Sequence, residues 1–270
     1  MNTGLTAKRI LVTRPSAQAE NLCHLIEQAG GQAWRFPTLE ITPEQADSAD
    51  LANALNSDWL IFTSSNAVDF AIGAFNGKMP QFGHTQVAAV GAATARSLQD
   101  FKWPVHCVPK TEFSSEGLLA EPAMQSVSGL ECVIVRGVGG RDKLEQGLTA
   151  RGAKVTYLQV YRRQRPEVDN LSLIRAIMIG QLDAISITST EALDNLLAML
   201  DTGSIEQIKN IDLVVASPRI AERATQLGFK HIAASQKPSD QEIVETLKTL
   251  YNGEYSGRTT WRTTRLKSPT

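Results

Sequence analysis

One local pattern recurs six times along the chain: a short apolar run typical of a β-strand ends in Gly, Ser or Thr, and a helix-favouring segment follows. The six runs begin at Ile10, Trp59, Val87, Cys132, Ala184 and Leu213. A strand that leads directly into a helix is the building unit of open α/β sheets, and the helix N-terminus at such a turn favours a bound anion. Because no turn carries the Lys-Ser/Thr pair of a nucleotide P-loop, the pattern predicts an anion site that does not hold a nucleotide.

The order of the predicted elements indicates an α/β protein with two parallel sheets. In the middle of the chain, strands alternate with helices, which implies parallel strands joined by right-handed crossovers. These strands are expected near Leu60, Val87, Val105 and Val133 and at 155–158. The series after residue 166 supplies only three strands, so we assign the N-terminal strand at Ile10 and the strand near Trp34 to the same sheet.

This assignment predicts a discontinuous first domain with a continuous second domain inserted into it, each a doubly wound sheet of flavodoxin-like or Rossmann-like type. The expected bounds are 1–36 with 167–251 for the first domain, 37–43 and 159–166 for two connectors, and 44–158 for the second domain. Paired as a two-stranded β-ladder, the connectors would form a hinge, and the expected ligand site is the cleft between the domains. The basic tail, 252–270, is expected to be disordered, with a docking arm as the alternative.

Composition argues against several classes of function. The 270 residues are 42% hydrophobic and 20% charged, and the formal net charge of −1 argues against broad attraction to nucleic acid or anionic membranes. No apolar stretch approaches the roughly 20 residues that span a bilayer, and the first residues lack a signal-peptide pattern. These features predict a cytoplasmic protein that binds neither nucleic acid nor membrane, and we expect it to be a monomer.

The cysteines and histidines form no recognisable metal or catalytic motif. Cys23, Cys107 and Cys132 lack C-x-x-C spacing, and two of them lie in apolar runs, which indicates packed thiols. The histidines are scattered, and His106 alternates within a strand-like segment, which favours a structural role. Since no G-x-S-x-G elbow occurs either, the sequence predicts a site without metal or cofactor.

A glycine-rich turn at 136–141 combines close backbone approach with positive charge. Gly137 and Gly139 would let the backbone approach an anion, and Arg136 and Arg141 flank them. The glycine spacing differs from that of dinucleotide-binding loops, and no acidic residue ends the next strand. The alternative is that the glycines only make a tight turn between strand and helix.

Hydroxyl side chains stand at predicted helix starts, in Thr63-Ser64-Ser65 and in Gly91-Ala-Ala-Thr94. Capping of the helix's own amides is the commonest role of such residues and is the alternative to ligand binding. Several turns of this kind at one sheet edge would bind carboxylates, at about 0.3 to 1 kcal/mol for each helix end.

Tyr161 lies on the second connector, where we expect it to stand near the hinge. A phenol there would donate a proton or a hydrogen bond to a leaving oxygen, and general acid catalysis typically contributes about 10² to 10⁴-fold. The alternative is a tyrosine that only packs on the ribbon.

Outside the tail, several short motifs occur along the chain in a characteristic order and spacing. These are V-T-R-P from Val12, F-T-S-S-N-A-V from Phe62, V-G-A-A-T-A from Val90, S-S-E-G-L from Ser114, R-G-x-G-G-R from Arg136, G-A-x-V-x-Y-x-x-x-Y from Gly152 and S-P-R-I-A from Ser217. By the order and spacing of these motifs, the chain resembles the uroporphyrinogen-III synthase family.

The resemblance implies two α/β domains joined by a β-ladder, and hydroxymethylbilane, a linear tetrapyrrole carrying acetate and propionate groups, as substrate. The implied reaction is loss of the terminal hydroxyl as water, then ring closure with inversion of the last pyrrole through a spiro intermediate, giving uroporphyrinogen III. Tyr161 matches the family's tyrosine that assists departure of the hydroxyl, and Thr94 matches a threonine near the substrate. Transient channelling of the substrate from hydroxymethylbilane synthase is consistent with this reaction.

Tyr161 is therefore the candidate catalytic residue, and the motifs supply the candidate substrate-binding residues. These are Arg14, Thr63, Ser64, Ser65, Gly91, Thr94, Ser114, Ser115, Arg136, Gly137, Gly139, Arg141, Thr188, Ser189, Ser217 and Arg219. One turn departs from the family pattern, because many members have Gly-Pro-Thr-Thr where this chain has Ser217-Pro-Arg219-Ile220. Ser217 and Arg219 are the candidates to replace the missing threonine contacts.

Two other function classes stay open. A non-enzymatic two-domain protein that clamps an anionic metabolite would have the same fold and turns, and it would return its ligand unchanged. A nucleotide-sugar transferase with two Rossmann-like domains would need a longer chain and a diphosphate site, which the sequence does not show.

Overall fold

The computed structural model describes residues 4–77, 80–81, 83–140 and 142–252. In chain order, the first elements are β1 (Arg9–Val12), α1 (Ser16–Gln28), β2 (Gln32–Arg35), β3 (Glu40–Pro43), α2 (Ser48–Asn56), β4 (Trp59–Phe62), α3 (Ser65–Ala74), β5 (Gln86–Ala89), α4 (Ala92–Asp100), α5 (Ser115–Ala120) and α6 (Pro122–Gln125). They are followed by β6 (Glu131–Gly137), α7 (Lys143–Thr149), β7 (Lys154–Gln164), α8 (Leu171–Met178), β8 (Ala184–Ile187), α9 (Thr190–Ala198), α10 (Thr202–Ile208), β9 (Asp212–Val215), α11 (Pro218–Gln226), β10 (Ile232–Ala234) and α12 (Asp240–Tyr251). Among these helices, none combines the length and apolarity needed to cross a membrane.

The strands form two five-stranded sheets, in the orders β10-β9-β8-β1-β2 and β3-β7-β6-β4-β5. The pairs of the first sheet are parallel, as are β4 with β5, β4 with β6 and β6 with β7 in the second. The predicted α/β class with two mostly parallel sheets is therefore confirmed. The strand order reverses between β1 and β8 in the first sheet and between β4 and β6 in the second, and ligands of doubly wound sheets bind at the carboxyl ends of such strands.

The chain forms two compact units, one comprising Ile41–Arg163 and the other the residues before and after it. We call the flanking part unit 1 and the inserted part unit 2. Both divisions fall inside the segments expected as connectors. The unit 1 sheet combines the two N-terminal strands with three strands from the last third of the chain. The tail beyond residue 252 lies outside the described residues.

Each unit has its own apolar core. All four residues of β4 are buried, as expected for a central parallel strand covered on both faces. Leu60 and Phe62 pack on one side of the unit 2 sheet, and Trp59 and Ile61 pack on the other. This rigid sheet fixes the position of the turn that follows Phe62.

Several expected elements differ from those observed. The strand expected near Val105 is reduced to an isolated bridge between Ala88 and Cys107, and Pro104, which lacks an N–H, limits further pairing. The strand expected to end at 158 continues to Gln164. The last strand expected in the second domain and the second connector therefore form one element, β7. Its alternating β-favouring residues run without Gly or Pro up to Pro166. Helices α2, α6 and α10 were not expected.

Candidate active site

Tyr161 of β7 is almost completely enclosed, since the residue is only 5% exposed. Its ring packs against Phe70 of α3, with the ring centroids 5.5 Å apart. Its hydroxyl lies 3.3 Å from Oγ of Ser64, within hydrogen-bonding distance. The phenol is thus both packed in the core and held by a polar contact at the carboxyl end of β4.

Ser64 links the phenol to the start of α3. Its Oγ accepts a hydrogen bond from the N–H of Ala67 over 3.1 Å, so Ser64 caps this helix. The neighbouring Thr63 donates its hydroxyl hydrogen to the carbonyl of Val135, at 3.1 Å, and Ser65 is the first residue of the helix. Capping uses one amide, and the remaining positive end of the helix dipole favours negative charge beside the Tyr161 hydroxyl.

Gly137 brings the end of β6 against the same phenol. The pairing of β6 with β7 shifts register between Arg136 and Gly137, and Gly137 pairs with Tyr161. The next residue, Val138, donates its N–H to the carbonyl of Tyr161 over 2.8 Å. Gly137 is buried, so here the glycine faces a tyrosine ring of its own chain.

Arg136 places its charge inside its own loop. The residue is 7% exposed, and its guanidinium donates to the carbonyl of Gly139. A guanidinium nitrogen lies 3.4 Å from the carboxylate of Asp142. The guanidinium carbon lies 4.9 Å from the centroid of the Tyr157 ring. The Tyr157 hydroxyl in turn donates to Glu145 over 2.7 Å. Burial, and then this bond to a carboxylate, raise the pKa of Tyr157 to about 12.

The glycines after Arg136 make a tight turn. Gly139 and Gly140 have φ angles of 73° and 101°, in the left-handed region that favours glycine. The turn explanation therefore accounts for these two positions, whereas it does not account for Gly137. Arg141, an expected substrate contact, lies outside the described residues.

The other unit 2 turns differ in how open they are. Gly91 precedes α4 and offers no side-chain cap, and Thr94 lies in the first turn of that helix, buried. Ser114 caps α5 and donates its hydroxyl hydrogen to the carboxylate of Glu112 over 2.8 Å, while Ser115 opens the helix. Because the carboxylate of Glu112 already lies at the Ser114 turn, the Gly91 turn is the better place for a substrate anion.

In unit 1, the charge of Arg14 is neutralised. Its guanidinium forms an ion pair with Asp240 at the start of α12, and the same carboxylate accepts a hydrogen bond from Asn21 over 2.8 Å. Within the part of the chain that the structure describes, Nε of Arg14 is buried without a hydrogen-bond partner. The charge of Arg14 therefore already has a carboxylate of the protein as its partner.

Two further unit 1 turns contrast with each other. Ser189 caps α9 by accepting the N–H of Ala192 over 3.0 Å, and Thr188 beside it is half-buried. Ser217 stands at the corresponding position before α11, yet among the described residues its side chain makes no capping bond. Arg219 is exposed in the first turn of α11. The α11 turn therefore leaves the Ser217 hydroxyl open to an anion, whereas its first amides contribute little, because Pro218 has no N–H and Ile220 donates its N–H to the carbonyl of Ser217 over 3.1 Å.

Sequence reasoning missed the residues that complete these contacts. Three residues that were not expected at the site contact expected site residues: Phe70 packs on Tyr161, Glu112 accepts from Ser114, and Asp240 pairs with Arg14. For Asp240 a signal exists, because an acidic residue directly after Ser239 is typical of a helix start. For the contact of Phe70 with Tyr161, the sequence carries no such signal.

The three cysteines are packed thiols, as expected, and His106 makes a hydrogen bond to a neighbouring strand. Nδ1 of His106 accepts the N–H of Val87 over 2.9 Å. The three cysteines are unpaired and buried, and burial raises the pKa of Cys132 to about 11. Among the described residues, no group of three His, Cys, Asp or Glu could hold a metal ion.

Known proteins are similar to this chain over most of its length. The family model described as "Uroporphyrinogen-III synthase HemD" matches residues 20–245. Uroporphyrinogen-III synthase of Escherichia coli K12 is 31% identical over 88% of this chain and 99% of its own, and that of Salmonella typhimurium LT2 is 29% identical with the same coverage.

Solved structures agree in fold. A mutant uroporphyrinogen III synthase from the extreme thermophile Thermus thermophilus superposes with a TM-score of 0.63, at 20% identity, over 92% of this chain and all of that one. The corresponding synthetase from Helicobacter pylori 26695 gives 0.60, at 16% identity, over 90% and 99%. Because the family model and a relative above 30% identity both span most of the sequence, this chain belongs to the uroporphyrinogen-III synthase family.

Proposed function

We propose that this chain converts hydroxymethylbilane to uroporphyrinogen III, with Tyr161 as the proton donor to the departing hydroxyl. Uroporphyrinogen-III synthase activity follows from membership of the family. The observation that carries the role of Tyr161 is its hydroxyl, held 3.3 Å from Ser64 at the end of β4, where the strand order reverses.

The chemistry of the step fits a phenol. An electron pair of the terminal pyrrole expels the hydroxyl group, and the proton of Tyr161 converts it to water as the carbon–oxygen bond breaks. Once the phenol has lost its proton, the Ser64 hydroxyl donates to the tyrosine oxygen, and this bond and the positive end of α3 favour the negative charge left there. The Gly91 turn, which has no side-chain cap at its helix start, and the hydroxyl of Ser217, which makes no described capping bond, are proposed to bind substrate carboxylates.

Positioning is proposed to supply much of the rate. Holding the two ends of a flexible bilane together removes about 7 to 11 kcal/mol from the barrier of a ring closure. We further propose that the protein acts as a cytoplasmic monomer that receives its substrate transiently from hydroxymethylbilane synthase. The composition supports the cytoplasmic location, and the nature of the reaction supports the transient transfer of substrate.

The test compares Tyr161→Phe with Thr94→Ala, using freshly generated hydroxymethylbilane. The phenylalanine variant keeps the ring contact with Phe70 and removes only the hydroxyl, so we expect type III formation to fall by about 10²-fold, and more than in the alanine variant. Equal rates for Tyr161→Phe and the parent protein would remove Tyr161 from the mechanism. Recovery of bound, unchanged bilane from the parent protein would favour the binding-protein alternative.

A further inference from the structure

We propose that Gly137 is a positioning residue for Tyr161. Because Gly137 has no side chain, the phenol ring can occupy the space that a Cβ would fill. A Cβ at Gly137 would lie 2.5 Å from Cε2, 2.7 Å from Cζ and 3.0 Å from Cδ2 of that ring. Real Cβ atoms essentially never approach another atom as closely as the first two of these distances. The inference rests on the proposed function, because it concerns where the Tyr161 hydroxyl is held during the reaction.

The backbone conformation of Gly137 does not require a glycine. Its φ lies outside the left-handed region, unlike those of Gly139 and Gly140. Alanine would therefore fit the backbone, and the three atoms nearest to its Cβ would all belong to the ring. This separates Gly137 from the glycines that make the turn.

The ring has little freedom to avoid the added methyl group. Phe70 packs against it at 5.5 Å between centroids, and the Tyr161 backbone is fixed by the bond from Val138. To reach an ordinary contact of 3.4 Å, the nearest ring atom must retreat by about 0.9 Å. A shift of that size disturbs the contact with Ser64, and a misplacement of about 1 Å can cost about 10²-fold in rate.

The first experiment is Gly137→Ala, with Gly73→Ala as the matched control. Gly73 lies on the exposed side of α3, and no described atom lies within 4 Å of the Cβ that alanine would add there. We expect Gly137→Ala to lower kcat for type III formation by about tenfold or more, with KM within about twofold of the parent value. The control should keep the parent kcat.

A double-mutant cycle with Tyr161→Phe separates positioning from a general structural defect. Phenylalanine keeps the ring and its clash with the methyl group added at position 137, but it has no hydroxyl to misplace. If Gly137 acts through that hydroxyl, Gly137→Ala should change kcat by less than about twofold in the Tyr161→Phe background. The same tenfold loss in both backgrounds would overturn the proposal.

A failure of folding would not end the test. Phe70→Leu opens room on the other side of the ring, so the cycle would be repeated with this substitution in all four variants.

Absence of type III product from the parent protein would refute the proposed function itself. A parent protein that is active, together with a Gly137→Ala variant of parent kcat, would refute the positioning role alone.

Discussion

Tyr157 shows at the residue scale how a local contact controls a titration. Its neutral hydroxyl donates to Glu145 beneath the guanidinium of Arg136. Burial first, and the neighbouring carboxylate second, favour the protonated phenol and raise the pKa from 10 to about 12. The stability that this residue contributes is complete below pH 10 and is lost as the pH rises toward 12.

We therefore predict that raising the pH from about 9 to about 11 lowers the free energy of unfolding less in Tyr157→Phe than in the parent protein. Phenylalanine keeps the ring beneath Arg136 but has no proton to lose. Urea denaturation at a series of pH values measures the difference, and Phe75→Leu, whose ring packs against the non-titrating Trp103, serves as the control. Parallel pH profiles for Tyr157→Phe and the parent would show that Tyr157 does not contribute.

At this scale, the sequence indicates which residues could react but not what holds them. Tyr161 is recognisable from its place on an extended segment, whereas the strand-like alternation around His106 does not correspond to a strand. The contact of Tyr161 with Ser64 joins residues 97 positions apart, and no local pattern encodes it. Arg136 illustrates the same limit, because its burial over Tyr157 depends on the packing of a neighbouring strand.

At the scale of the element, helices α9 and α11 offer a matched comparison. Both begin with a serine in extended conformation, but only Ser189 caps its helix. We predict that Ser189→Ala lowers the free energy of unfolding by about 1 kcal/mol, as is usual for a lost cap. Ser217→Ala should leave it almost unchanged, since no described capping bond is removed. Urea denaturation of both variants measures the difference.

The same pair separates stability from binding. With hydroxymethylbilane as substrate, Ser217→Ala should raise KM, because the Ser217 hydroxyl is proposed to meet a carboxylate. Ser189→Ala should leave KM close to the parent value. The reverse pattern, with a stable Ser189→Ala of high KM, would contradict the division of roles.

Some elements were not predicted, for different reasons. Helix α2 carries a helix signal that went unused, since it follows the capping residue Asp47 and its Leu51, Ala54 and Leu55 have the spacing of one helix face. Helix α10 has seven residues, and its buried positions include a serine, Ser204. Conversely, the apolar residues near Val105 suggested a strand, but only one bridge forms.

At the scale of the whole molecule, the fold class was predictable because it depends on alternation and on strand count. The three strands of the last third need more partners, and the N-terminal strands β1 and β2 complete their sheet. Strand order within each sheet was not predictable, since parallel strands of similar apolar composition carry no pairing signal. The order matters, because it places the turns after β4 and β6 next to each other.

The measurement that tests the central claim most directly is chromatographic isomer analysis of the product from freshly generated hydroxymethylbilane, with and without catalytic amounts of the protein. Hydroxymethylbilane also closes without help to the uninverted type I isomer, so product identity distinguishes catalysis from spontaneous closure. The account predicts mostly type III product, formed in many turnovers for each protein molecule. Only the type I isomer, at the spontaneous rate, would contradict it.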